Sequence, residues 1–265
     1  SNLFPLFRQR PFNKIPDPYN QPRDIFISGY NTAPLSVDLH RIIEENKSIF
    51  QLGLSVLNKL TRGKVFLTLE KFIEFEDTQV QTISGPHPAG NVGIQIHHIK
   101  PLNPNEVIWT INAQHVITLG NLFNTGEYDP SLVMSIGGSG SEKPEFVKTL
   151  TGASIQALKK NQSDDNLVRY ISGDVLTGKR VGEDDFMGFY ESVFSIIDDK
   201  VNRPFLGMLY PGSSKTKYSL TNTFLTLSDS LFNFTTSQNG EKRAMVPINS
   251  WENVLPMDIY PNSLY

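Results

Sequence analysis

His87 stands between two prolines in the run Ser84-Gly85-Pro86-His87-Pro88-Ala89-Gly90, directly after the apolar-alternating residues 80–83. A strand that empties into such a turn puts backbone with few side chains at the end of a sheet, where free N–H groups can meet a ligand or a partner. The imidazole there can donate or accept a hydrogen bond. The same run also serves as a tight connection, and the pattern alone leaves both readings open. A second cluster lies at the start, where Phe4, Phe7, Phe12 and Tyr19 sit among Pro5, Pro11, Pro16, Pro18 and Pro22, with Arg8 and Arg10 between them. Proline at that density excludes a regular helix or a central strand, so residues 1–22 read as an extended arm. Its aromatics either pack on the chain's own domain or line an apolar slot with arginine as the polar handle.

Other chemistries find less support. The histidines are His40, His87, His97, His98 and His115. Adjacent His97 and His98 point apart on a strand or a helix, and no His-Glu-x-x-His or carboxylate cluster accompanies them, so no metal site is expected. With no cysteine in 265 residues, thiolate zinc sites, disulfides and cysteine-ligated iron–sulfur clusters are excluded within this sequence. A net charge of -3 with scattered basic residues argues against a nucleic-acid or anionic-membrane face. No segment approaches the roughly 20 apolar residues of a membrane span, so no transmembrane segment is expected.

The elements that must position these residues alternate in type. Residues 25–29 read as a short buried strand and turn. Ile49, Leu52, Val56, Leu57 and Leu60 stripe one helical face, with Gly63 at its stop. Residues 65–69, 80–83 and 107–111 read as further strands, and strands spaced by helices imply crossovers and a mostly parallel, Rossmann-like sheet over residues 23–130. Gly29 is followed by Tyr30-Asn31-Thr32-Ala33-Pro34 and not by further glycines, so a self-sufficient dinucleotide site is not expected. Residues 131–182 give strand, glycine turn, strand, short helix and strand, a β-grasp outline in which Gly137 to Gly140 form a turn. Residues 183–265 read as a β-rich part packing on the preceding domains, with residues 189–197 alternating, 205–210 apolar, helical steps at Leu220, Phe224, Leu227 and Leu231, and a hairpin turn at 238–241. The expected class is therefore α/β.

Several stretches carry a resemblance. They are Arg8-Gln9-Arg10-Pro11-Phe12-Asn13-Lys14-Ile15-Pro16, the 84–90 run, Leu122-Phe123-Asn124-Thr125-Gly126-Glu127, Thr151-Gly152-Ala153-Ser154, Ile171-Ser172-Gly173 with Val175-Leu176-Thr177-Gly178, and Asn239-Gly240 with Arg243-Ala244-Met245-Val246-Pro247-Ile248. Together, in this order, they resemble the A-type subunit of the bacterial sodium-translocating NADH:quinone oxidoreductases over nearly the whole chain. The resemblance implies a longer family protein, with a lipoyl-like domain before residue 1 and a helical segment after residue 265. It implies a Rossmann-like domain followed by a soluble-ligand-binding β-grasp domain. It also implies a peripheral subunit on the cytoplasmic face of the inner membrane, working with partner subunits. FAD, FMN, the iron–sulfur centre, NADH, ubiquinone and sodium would be handled by the whole complex, with no cofactor bound by this chain.

For quinone contact the resemblance points to Arg10, Phe12 and His87, with Gly85, Pro86, His87, Pro88, Ala89 and Gly90 as a ligand or partner loop. Phe12 would supply ring contact, while Arg10 or His87 would hydrogen-bond a carbonyl. The rival expectation is a docking module without a small-molecule site. The chain departs from the family pattern at two places: Gly93-Ile94-Gln95-Ile96-His97 stands where Gly-Thr-His-x-His is expected, and His115 stands where Asp is expected.

Overall fold

A computed structural model describes residues 3–159, 167–199 and 251–264. The apolar runs form the strands β1 (Phe7–Arg10), β2 (Ile25–Ser28), β3 (Val65–Leu69), β4 (Gln79–Thr82) and β5 (Ile108–Asn112), in the order β1-β5-β2-β3-β4. β2 pairs in parallel with β3 and β5, and β3 in parallel with β4, while β1 closes the far edge antiparallel to β5. All five residues of β3 are buried, as a strand covered by helices on both faces requires.

The covering helices are α1 (Leu39–Glu45), α2 (Lys47–Leu60), α3 (Val92–Ile99) and α4 (Ala113–Thr125). Asp38 caps α1 by accepting from the Arg41 N–H at 3.0 Å, and Asn112 caps α4 by accepting from Gln114 at 2.8 Å. Gly126 ends α4 in the left-handed conformation, φ 80°, with its N–H on the Leu122 carbonyl. Phe50, Leu54 and Leu57 of α2 pack with Val116 and Leu119 of α4 over Ile25, Ile27 and Leu67. The opposite sheet face is Phe26, Phe66 and Ile108 under Ile96 of α3, and the two phenyl rings stack 4.8 Å apart.

Alternation along β1 decides which side of the sheet each arm residue takes. Arg8 pairs with Thr110 and Arg10 with Ile108, which puts both guanidinium groups on the α3 side. Phe7 turns to the other side and meets the Trp109 ring at 5.4 Å. Thus residues 7–10 of the arm are an edge strand of the first sheet, where proline neighbours are tolerated.

The second sheet contains β6 (Ser131–Gly137), β7 (Glu145–Leu150), β8 (Val168–Ser172), β9 (Lys179–Val181) and β10 (Val193–Asp198), ordered β7-β6-β10-β8-β9, with α5 (Ile155–Leu158) between β7 and β8. Its β6 and β10 are parallel neighbours and its other pairs are antiparallel, so the strands expected for a β-grasp are present. Residues 193–197 are buried at every position, against the expected alternation, because β10 is the middle strand and is covered on both faces. It comes from beyond residue 182. Gly138, at φ 126°, confirms the glycine turn: a Cβ there would stand 2.2 Å from the Ile196 carbonyl oxygen. The features expected at residues 205–210, 220–231 and 234–246 lie outside the described residues.

The two sheets meet along α4. The Gln114 carboxamide pairs with both backbone groups of Val133, donating at 2.9 Å and accepting at 2.7 Å, as a neighbouring strand would. Ser135 donates to the Leu35 carbonyl, and the Tyr190 hydroxyl donates to the Pro5 carbonyl at 2.7 Å.

Candidate functional site

From β2 the chain crosses toward β3 and β4, then returns to place β5 on the other side of β2. In such sheets the crossovers part at the carboxyl ends of these two strands and leave a crevice. Here that crevice is a cleft of about 690 Å³. Ser28 and Asn112 come from the strand ends, Asn31 and Ala33 from the loop after β2, and Gly90 to Ile94 from the loop and first turn of α3. Arg8 and Arg10 come from β1, Asn13 follows them, and Asp174, Thr177 and Tyr190 arrive from loops of the second sheet. Leu6, Leu39, Ile111 and Met257 supply apolar wall. The segment carrying Met257 is tied to α3, since His98 Nε2 meets the Pro256 carbonyl at 2.8 Å.

The lining is rich in donors. Arg8 lies over the Tyr190 ring, its guanidinium carbon 4.3 Å from the centroid. Arg10 has a buried Nε without a hydrogen-bond partner. Burial, and then the charge of Arg8, lower the Arg10 pKa below the usual arginine range, yet the group stays charged. Asn31 and Asn112 use their carboxamide oxygens on the N–H groups of Ala33 and Gln114, which leaves their NH₂ groups as donors. At the start of α3, Ile94 and Gln95 both donate to the Asn91 carbonyl, and among the described residues no acceptor meets the N–H groups of Val92 and Gly93. Such a set suits ligand oxygens that accept hydrogen bonds.

The 84–90 loop buttresses this cleft. The Thr32 hydroxyl accepts from the Gly90 N–H at 2.9 Å and shares a 3.1 Å hydrogen bond with His87 Nδ1. A Cβ on Gly90 would stand 2.3 Å from the Thr32 nitrogen, so the glycine is required by close approach of two backbones. Gln95, fully buried at one of the departures from the family pattern, donates to the Gly90 carbonyl at 3.1 Å and accepts from Thr68 at 2.7 Å.

Of the expected site residues, Arg10 and Gly90 line the cleft. His87 is half-buried one step behind it, and Gly85, Pro86, Pro88 and Ala89 are outside the lining. Phe12 is 81% exposed, next to the lining residue Asn13. Sequence reasoning missed Asn31, Asn112 and Tyr190. Asn112 had a signal, a capping residue directly after an apolar strand, whereas nothing local marks Tyr190. His115, the other departure, is buried on α4, 5.7 Å from the Phe189 ring. Burial pushes its pKa down to about 4, so it is neutral at physiological pH.

Among the described residues no group of three or more histidines and carboxylates could hold a metal ion, and no helix is long and apolar enough to cross a membrane. Residues 1–128 match the family model described as the NqrA second alpha/beta domain, and residues 133–183 that described as the NQRA C-terminal domain. The chain is 40% identical, over 271 aligned positions, to the NqrA protein of the Na(+)-translocating NADH-quinone reductase from Pasteurella multocida, with all of the chain and 60% of that protein covered. The corresponding protein of Hahella chejuensis is 40% identical and that of Vibrio anguillarum 39%, again with the whole chain and 60% of the relative covered. The chain thus spans about 60% of the length of these curated relatives.

Proposed function

Since the chain belongs to the NqrA family, we propose that it is a peripheral part of a sodium-translocating NADH:quinone reductase and that its cleft receives a quinone head group. The donor-rich cleft at the parting of the crossovers carries this reading. Quinone carbonyls accept hydrogen bonds, and Arg10 offers an unpaired donor to a cleft whose lining also includes Leu6, Leu39 and Ile111. Phe12, exposed beside Asn13, lies against the ring or tail of the entering ligand. His87 acts through Thr32 as a positioning residue for Gly90. This chain lies on the cytoplasmic face of the membrane and the electron carriers belong mainly to partner subunits; the absence of cysteine supports this for iron–sulfur centres.

In the assembled complex, Arg10→Ala is expected to raise the quinone KM about tenfold by removing a charge-assisted hydrogen bond. An unchanged KM in a fully assembled variant would remove the assignment. A second reading, docking, is favoured by Phe12 and Tyr19, which are 81% and 95% exposed on the arm. Under docking alone, Phe12→Ser would reduce the yield of assembled complex while the complexes that form keep the normal KM.

A further inference from the structure

Resting on the reading that the cleft takes a quinone-type ring, we propose that it prefers the ionised form of that ring, the oxyanion of a hydroxyquinone or quinol, over the neutral quinone. Arg8 and Arg10 are two positions apart on one edge strand, so both guanidinium groups face the same cavity. Among the described residues neither has an ion-pair partner. The acid that does line the cleft, Asp174, is committed to its own turn. Its carboxylate accepts from the Leu176 and Thr177 N–H groups at 2.7 and 3.0 Å and from the Thr177 hydroxyl at 2.8 Å. The free N–H groups of Val92 and Gly93 at the α3 start, in the same lining, add positive potential.

Two unpaired cations in a half-buried cleft repel one another, and an oxyanion between them relieves that repulsion while a neutral carbonyl does not. The face of the Tyr190 ring holds the Arg8 guanidinium in place, so less ordering is needed when the ligand arrives. A nucleotide phosphate fits less well. Its usual cradle, the turn after the first parallel strand, is filled here by the chain itself, since Gly90 packs against the backbone of Asn31 and Thr32. The apolar wall also calls for a ring.

The test is calorimetric titration of the intact protein at neutral pH and low salt with lawsone, a hydroxynaphthoquinone that is ionised there, and with its O-methyl ether, which is neutral. Lawsone is expected to bind about tenfold or more tightly, the difference between a charge-assisted and a neutral hydrogen bond. That advantage should shrink as salt is raised. Arg8→Gln and Arg10→Gln, each with an unchanged melting temperature, should lower it, and Arg8→Lys should keep part of it. Equal affinity for the two probes would overturn the charge preference while leaving the quinone reading intact. Binding of neither probe would overturn both. Displacement of lawsone by AMP at equal concentration would overturn the inference by giving the cationic pair to a phosphate.

Discussion

Replacing Gly120 with alanine is expected to destabilise the protein by about 2–3 kcal/mol, although alanine is the better helix former by about 1 kcal/mol. Gly120 lies where α4 crosses α2, and a Cβ there would stand 2.0 Å from the backbone oxygen of Ile49. No rotamer change relieves contact with a backbone atom, so the helices must separate by more than an ångström. That opens the seam formed by Phe50, Leu54, Leu57, Val116 and Leu119, all almost fully buried, and forfeits dispersion contacts along its length. Gly53 makes the reciprocal approach, its Cβ position 2.3 Å from the Val116 oxygen. The double variant Gly53→Ala with Gly120→Ala should therefore cost less than the sum of the singles, since the first substitution already parts the helices. Urea denaturation with an unchanged m-value measures both effects. A Gly120→Ala protein as stable as the parent would refute this packing.

Asp24→Asn is expected to cost about 2 kcal/mol at neutral pH, as a buried charged acceptor loses its charge. The carboxylate is fully buried at the entry to β2 and accepts from Lys100 Nζ at 2.6 Å, Arg23 Nε at 2.7 Å and the Lys64 N–H at 3.0 Å. Arg23 reaches on to Glu106 and to the Pro101 carbonyl, so one carboxylate organises three separate loops. Burial pushes the acid's pKa up, but the hydrogen bonds from Lys100, the Lys64 backbone and Arg23 outweigh it and hold the pKa below the ordinary range. The sign follows from linkage: a depressed carboxyl pKa stabilises the fold above the unfolded value, near about 4, and that contribution is lost as pH falls through the folded pKa. The gap between parent and variant should accordingly be full at neutral pH and close under acid conditions. A gap independent of pH would show that the cost is packing and not charge.

How much of this was legible depended on whether a residue's surroundings came from its own segment. The buried strands β2, β3 and β5 announced themselves as apolar runs, and the stripe from Ile49 to Leu60 located α2 but not its inner face, which is Phe50, Gly53, Leu54 and Leu57. Helix α3 left a misleading pattern, because Val92, Ile94 and Ile96 alternate as a strand would while Gln95 is buried to hold two loops. Helix α4 was obscured for a related reason. Gln114, His115 and Thr118 are buried polar residues, so its inner face does not read as apolar. Arg10 was picked out by the family resemblance, since the pattern of guanidinium groups among prolines and aromatics marks Arg8 and Arg10 equally. Asn31, Asn112 and Tyr190 meet only through a sheet crossover and a second domain, and no local spacing encodes that meeting.

The most direct test of the account is hydrogen exchange on the intact protein with and without a saturating quinone analogue. Slowed exchange is predicted at residues 6–10 and 91–94 and around Asn112 and Tyr190, the segments that converge on the cleft. Unchanged exchange at all four, with protection elsewhere in a protein that does bind the analogue, would contradict it.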